Sequence, residues 1–203
     1  MTNSTHVLVP PARWLRWVDN FEGRHGSTSL SVLDGALRGE AHDGSTFTAR
    51  LPFAAAYDGG PDVAAFLADV EAPAQWGVLL VRKGGFAIAR LAGVEMVEHK
   101  IGQRHVQGRT KAGGQSQQRF ARRRDNQARQ AYEAAADHAA RILRPGPLVT
   151  GGDHVAVADV LMDPRLAGVA VVGPWLPVPD PRRAVLDRAI LDAQAIDVDV
   201  ANA

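Results

Sequence analysis

Apolar residues first recur at helical spacing over residues 12–22, where Trp14, Trp17, Val18 and Phe21 fall at i, i+3, i+4 and i+7. That spacing predicts a short amphipathic helix with its tryptophans in the core. Residues 29–33, 36–41 and 47–51 read as short strands, with Asp34-Gly35 and Asp43-Gly44 supplying turn chemistry between them. A helix is expected over 61–70, with Pro61 near its first turn and Val63, Phe66, Leu67 and Val70 on one face. Residues 76–81 form a nearly continuous apolar run, as a buried strand does. Lys83-Gly84-Gly85 turns the chain into a second strand over 86–91, and 94–97 can supply a third. Three consecutive antiparallel strands are the simplest arrangement.

From Lys100 to Gln118 the pattern disappears, and Ile101 and Val106 are the only large aliphatics. A structureless segment of that length inside a compact domain is usually functional or disordered. Periodicity resumes with Phe120, Ala128, Ala131, Tyr132, Ala135, Ala139, Ile142 and Leu143, one apolar stripe along a long helix that Pro145 and Gly146 end. A strand over 148–150, a helix over 154–162 and a strand over 168–172 follow. Pro174, Pro177, Pro179 and Pro181 predict a stiff connection to a last amphipathic helix over 181–195, and residues 197–203 are expected to fray. Three strands, a long helix and then alternating strand and helix match an RNase H-like α/β layout: a mixed sheet with flanking helices. The expected organisation is a small N-terminal α+β extension over 1–75 and a second domain over 76–203, with no internal repeat.

The 203 residues are 46% hydrophobic, enough to bury a sizeable core, and contain no cysteine, which excludes disulfides and thiolate metal sites. Pro10, Arg13 and Arg16 interrupt every early apolar run, and no stretch is long and apolar enough to cross a bilayer. A soluble cytoplasmic protein is the expectation. The net charge of +1 suggests no partner, but its distribution does. Lys100, Arg104, Arg109, Lys111, Arg119, Arg122, Arg123 and Arg124 are eight of the 23 basic residues, and no acid interrupts them. The rest of the chain keeps 15 bases against 22 acids, a balance of −7. An acidic body with one basic stretch predicts contact with a polyanion at one place.

Within that stretch, residues 112–124 read Ala-Gly-Gly-Gln-Ser-Gln-Gln-Arg-Phe-Ala-Arg-Arg-Arg. Two glycines free the backbone for close approach to a substrate, and the glutamine after them offers a side-chain amide and a backbone N–H. Gly113, Gly114, Gln115 and Ser116, followed by Arg119-Phe120-Ala121-Arg122 and Arg124, resemble the catalytic loop of eukaryotic and archaeal class I release factors. Those proteins hydrolyse the ester between nascent peptide and tRNA, and their middle domain has the RNase H-like layout, so the resemblance covers roughly residues 76–195. The chain shows no counterpart of their codon-reading domain. It is more similar to the Vms-type release-factor-like peptidyl-tRNA hydrolases of ribosome-associated quality control, of which it looks like a bacterial member.

The resemblance implies that the loop enters the peptidyl-transferase centre of the large ribosomal subunit. There the backbone N–H of Gln115 stabilises the tetrahedral species and its side chain shapes the space that water occupies, with Gly113 and Gly114 giving the backbone its form. It sets Arg119, Arg122 and Arg124 against RNA phosphate. A register slip would hand the glutamine's place to Gln117 or Gln118. The implied function is codon-independent release of nascent chains from stalled or split ribosomes, with peptidyl-tRNA and the large subunit as partners and neither membrane nor DNA expected. A ribosome- or tRNA-binding rescue factor that cuts nothing is the alternative.

Other constellations are weaker. His99 and His105 flank the loop and read as surface histidines that could meet phosphate. Asp153, Asp159 and Asp163 are the residue type a two-metal nuclease uses, but the first strand of that layout has no carboxylate. No metal is expected. No glycine-rich nucleotide loop is present, so no cofactor is expected either.

Overall fold

The structure, a computed structural model, describes residues 4–103 and 115–203; over 115–128 it describes the backbone only. The chain divides into two compact units, Met1–Pro73 with Ile190–Ala203, and Ala74–Ala189. The first opens with β1 (Ser4–Val9), a 3-10 turn at Pro11–Arg13 and α1 (Trp14–His25). Strands β2 (Thr28–Leu33), β3 (Ala36–Ala41) and β4 (Thr46–Arg50) and helix α2 (Val63–Ala68) follow. The second unit carries β5 (Trp76–Arg82), β6 (Gly85–Ala92), β7 (Glu95–Gln103), α3 (Gln115–Ile142), β8 (Gly146–Gly152), α4 (His154–Leu161) and β9 (Val169–Leu176). The chain then runs through α5 (Arg183–Ala193) into β10 (Ile196–Ala201).

In the first unit the sheet order is β1-β10-β4-β3-β2, with every neighbouring pair antiparallel. Burial alternates along the strands as the period of two requires. Leu37, Phe47, Ala49, Ile196 and Val198 join Trp14, Val18, Phe21 and Phe66 in one core. The rings of Trp14, Trp17 and Phe21 each meet Phe47 edge-on, and the indole N–H of Trp14 donates to the Val63 carbonyl at 3.1 Å. A side chain at Gly39 would collide with the Phe47 ring, so this glycine makes room for the aromatic cluster. The Asp62 carboxylate accepts the Ala65 N–H at 2.7 Å and caps α2.

Residues 197–203, expected to fray, instead supply most of β10, which lies between β1 and β4. The alternation explains it. Ile196 and Val198 point into the core, while Asp197 and Asp199 point outward and find hydrogen-bond partners there. The Asp197 carboxylate sits 2.9 Å from His6 Nε2, and Asp199 accepts from Arg50 Nη1 at 2.7 Å. Strand β1 covers the other edge of β10.

In the second unit the order is β7-β6-β5-β8-β9. The β5–β6 and β6–β7 pairs are antiparallel, as expected, and the β5–β8 and β8–β9 pairs are parallel. The mixed α+β architecture agrees with the fold class read from the sequence. The central strand is buried throughout from Trp76 to Val81. Leu79 and Val81 pack with Phe86 and Ile88 of β6, Ala135, Ala139 and Ile142 of α3, and Ala156, Val157 and Val160 of α4.

Boundaries differ from expectation at β7, α3 and β9. Strand β7 runs on to Gln103, so Lys100–Gln103 are strand rather than structureless chain, and α3 opens at Gln115, three residues before the expected end of that segment. β9 continues past Val172 through Pro174 to Leu176; it is an edge strand whose ladder with β8 is irregular between Val172 and Leu176, where proline is tolerated. Among the described residues, no helix is long and apolar enough to cross a membrane.

Candidate functional site

The Gly-Gly-Gln segment belongs to the connection between edge strand β7 and helix α3. Two glycines set the geometry where that connection leaves the sheet. A side chain at Gly102 would collide with the ring of Phe86 across the ladder, and one at Gly85 would collide with the Gly102 carbonyl. Strand ends this close are open only to glycine. Phe86, Gly102 and Gln103, with Gln130 and Ala131 of α3, line a recess of about 230 Å³ at this end of the sheet. Farther along, Ala135, Ala139 and Ile142 anchor α3 in the core.

Gln115 is the first residue of α3. Its N–H is therefore one of the first four in the helix, which have no intrahelical acceptor and sit at the positive end of the macrodipole. Gln117, Gln118, Arg119, Arg122, Arg123 and Arg124 also belong to α3, but the side chains of these residues and of Gln115 lie outside the described part. Gly113, Gly114, Arg104, Arg109, Lys111 and His105 lie outside the described residues altogether.

Lys100 is the one basic residue of the stretch whose side chain is described. It is exposed on β7, directly across from Ile88 and so on the sheet face that packs against α3. On that face α3 presents His138, whose ring lies 5.6 Å from that of Phe86 and whose Nδ1 is 2.9 Å from Arg141 Nη2. Burial, and then the positive charges of Arg141 and Lys100, push the His138 pKa below its ordinary value, against a smaller opposing pull from Asp137. His138 and Arg141 were not singled out from the sequence. Their i, i+3 spacing placed them on one helical face, but nothing local said that the face would meet Lys100. His99 lies one position earlier on β7, and its Nε2 is 3.1 Å from Arg183 Nη1.

The three aspartates weighed as nuclease-like have structural duties in two cases. Asp153 caps α4, accepting the N–H groups of Val155 and Ala156 at 3.0 and 3.2 Å. Asp163 caps the 3-10 turn Pro164–Leu166 and binds the Arg165 guanidinium at 2.6 Å. The side chain and backbone N–H of Arg165 pull the Asp163 pKa down to about 2, and Asp163 with Asp137 raises that of Arg165. Arg165 also reaches Asp137 of α3 at 2.6 Å, tying the turn to the helix. Asp159 borders a groove beside Tyr132, whose pKa burial raises with help from Asp153 and Asp159. Among the described residues the one grouping with metal-ligand geometry is His6, Asp197 and Asp199 in the first unit, and Arg50 already pairs with both carboxylates.

The second unit thus defines an α+β protein whose long helix opens on a glutamine that follows two glycines in the sequence and carries a run of arginines in its opening turns. The family model for the Actinobacteria/chloroflexi VLRF1 release factor matches residues 74–199, more than half of the chain and all of the basic stretch. The chain belongs to that family. The family name suggests a role in translation termination or ribosome rescue. No curated protein matches the chain.

Proposed function

We propose that this protein is a codon-independent peptidyl-tRNA hydrolase that releases nascent chains from stalled or split ribosomes. The observation that carries the reading is Gly113-Gly114-Gln115 at the opening of α3 in a chain of a release-factor family. The ester needs water and carbonyl aligned, and fixed donors aimed at the oxyanion that develops; neither demands a titrating side chain. The backbone N–H of Gln115 supplies the donor, favoured by the helix N-terminus, and its side chain confines the water. Gly113 and Gly114 let the backbone approach the tRNA end. One such donor is worth about 2.7–4 kcal/mol of barrier.

Lys100, Arg104, Arg109, Lys111, Arg119, Arg122, Arg123 and Arg124 meet RNA phosphate, which positions the loop without reading sequence. The sheet order, third-second-first-fourth-fifth within the second unit, supports an RNase H-like catalytic domain beginning near Trp76, and the extension formed by residues 1–75 also takes in β10. The partners are peptidyl-tRNA and the large ribosomal subunit, which places the work in the cytoplasm.

The test is release of nascent chain from isolated large-subunit peptidyl-tRNA complexes by purified protein. Release by the wild type and none by Gln115→Ala is the expected result. Tight binding to the complexes without release by the wild type would overturn the reading in favour of a non-catalytic rescue factor.

A further inference from the structure

Two cations and a histidine form a second basic group on the body of the second unit. Lys100 from β7 and His138 and Arg141 from α3 come together on the sheet face that α3 covers. Lys100 and Arg141 are exposed and His138 is half-buried. Carboxylates close by in sequence are engaged elsewhere: Glu98 with Arg90, Glu133 with Arg129 and Asp137 with Arg165. Among the described residues neither Lys100 nor Arg141 has an acidic partner. Arg141 instead points Nη2 at His138 Nδ1 at 2.9 Å, and an imidazole nitrogen that accepts this bond must be neutral.

The last turn of a helix repels anions through its free carbonyls. Here Arg144 Nη1 donates to the carbonyls of Arg141, Ile142 and Leu143 at 2.8, 3.4 and 2.8 Å, which offsets that field. The arrangement thus offers a point charge from Lys100, a planar fork from Arg141 held by His138, and a screened helix end. A lysine and an oriented arginine suit a phosphodiester oxygen better than a carboxylate of a peptide, because both charges remain uncompensated until a polyanion arrives.

We propose that Lys100, His138 and Arg141 form an RNA-backbone binding site on the body of the protein, separate from the arginines that open α3. The inference rests on the proposed action on peptidyl-tRNA and deepens it. At 1.5 Å per residue, His138 lies roughly 35 Å along α3 from Gln115. Gln115 at the ester and a second phosphate contact that far down the same helix would fix the angle at which the helix meets the RNA as well as its position.

The experiment measures binding of full-length protein to deacylated tRNA over a salt series, with a melting curve for each variant to confirm folding. For Lys100→Ala/Arg141→Ala the expected outcome is weaker binding, with a log-affinity against log-salt slope shallower by about two, one per lost phosphate contact. The charge-preserving pair Lys100→Arg/Arg141→Lys should keep most of the slope. Arg129→Ala removes an exposed arginine of α3 that already has Glu133, and should change it by much less than one unit.

An unchanged slope in the double variant would overturn the proposal. So would an equal loss in Arg129→Ala, which would mean diffuse charge, or a wild type that does not bind tRNA. Nascent-chain release is scored separately. A protein that binds through this site and hydrolyses nothing would sink the proposed activity and leave the site standing. A hydrolase indifferent to both substitutions would do the reverse.

Discussion

The two five-stranded sheets dispose of their polar residues in different ways. In the first unit every strand is antiparallel and burial is one-sided: Phe47, Ala49, Ile196 and Val198 are buried while Thr48, Arg50, Asp197 and Asp199 on the intervening positions are not. In the second unit β5 buries Val78 and Leu80 as completely as Leu79 and Val81, on both faces. Parallel pairing requires crossover helices, and helices cover faces. Apart from Arg90 of β6, which pairs with Glu98, charge therefore collects at the strand ends, on edge strand β7 and on α3, and the Gly-Gly-Gln connection joins these last two elements. The outer face of the first sheet, by contrast, spreads its charges in cross-strand pairs such as Asp197 with His6 and Asp199 with Arg50. What the contrast teaches is where substitutions should be silent: on one whole face of the first sheet, and in the second only outside the central strands.

The sharpest separation of chemistry from packing is at Gln115. Gln115→Ala should abolish peptidyl-tRNA hydrolysis and leave the melting temperature almost unchanged, because no apolar pattern enlists the residue. Gly114→Val should inactivate as well, through the backbone, since a β-branched side chain resists positive φ and close approach. Hydrolysis that survives Gln115→Ala but is lost in Gln117→Ala would move the catalytic position two residues on.

The next effect concerns the core. Leu79→Ala and Leu80→Ala point to opposite faces of β5, yet each should cost about 2–5 kcal/mol in urea unfolding. In β10 the same comparison should split: Ile196→Ala within that range, and Asp199→Ala under about 1 kcal/mol, as for an exposed ion pair. If Asp199→Ala proved as costly as Ile196→Ala, the one-sided description of the first sheet would fail.

A smaller effect is expected from Arg122→Ala/Arg123→Ala. Binding to large subunits should weaken and its salt slope flatten by about two, with release at saturating protein suffering less. An unchanged slope would make these arginines a solvated helix face.

The smallest effect is confined to acid. The Asp163 pKa is lowered from 3.8 to about 2 in the folded chain, so the carboxylate stabilises the fold above the ordinary aspartate value and that contribution disappears as pH falls through about 2. Asp163→Asn should melt below the wild type at neutral pH, and the gap should close on acidification between those values. A gap that is constant with pH would show that the side chain acts here only as a neutral cap.

Much of the molecule could be read from local pattern. The apolar run of 76–81 fixed a buried strand, Asp34-Gly35 a hairpin turn, and the stripe from Tyr132 to Ile142 the anchored half of α3, because each depends on residues within a few positions of one another. The Gly-Gly-Gln segment and its arginines were legible in the same way, as composition and spacing in one short stretch, and family membership now accompanies them. The fate of residues 197–203 was not legible in that way. Two outward aspartates look like a solvated tail until β4 and β1 bring Arg50 and His6 beside them, from about 150 and 190 residues away in the chain. Nor was the extent of β7, whose half-exposed, polar edge carries little hydrophobic signal and is held by pairing with β6.

Sequence alone determined which segments could bury a face and where two glycines and a glutamine stand together. Only the tertiary structure decided which distant charges would meet. Lys100 shares a sheet face with His138 and Arg141 because β7 pairs with β6 and α3, on the far side of the whole Gly-Gly-Gln connection, packs over that face, and no local propensity encodes that placement.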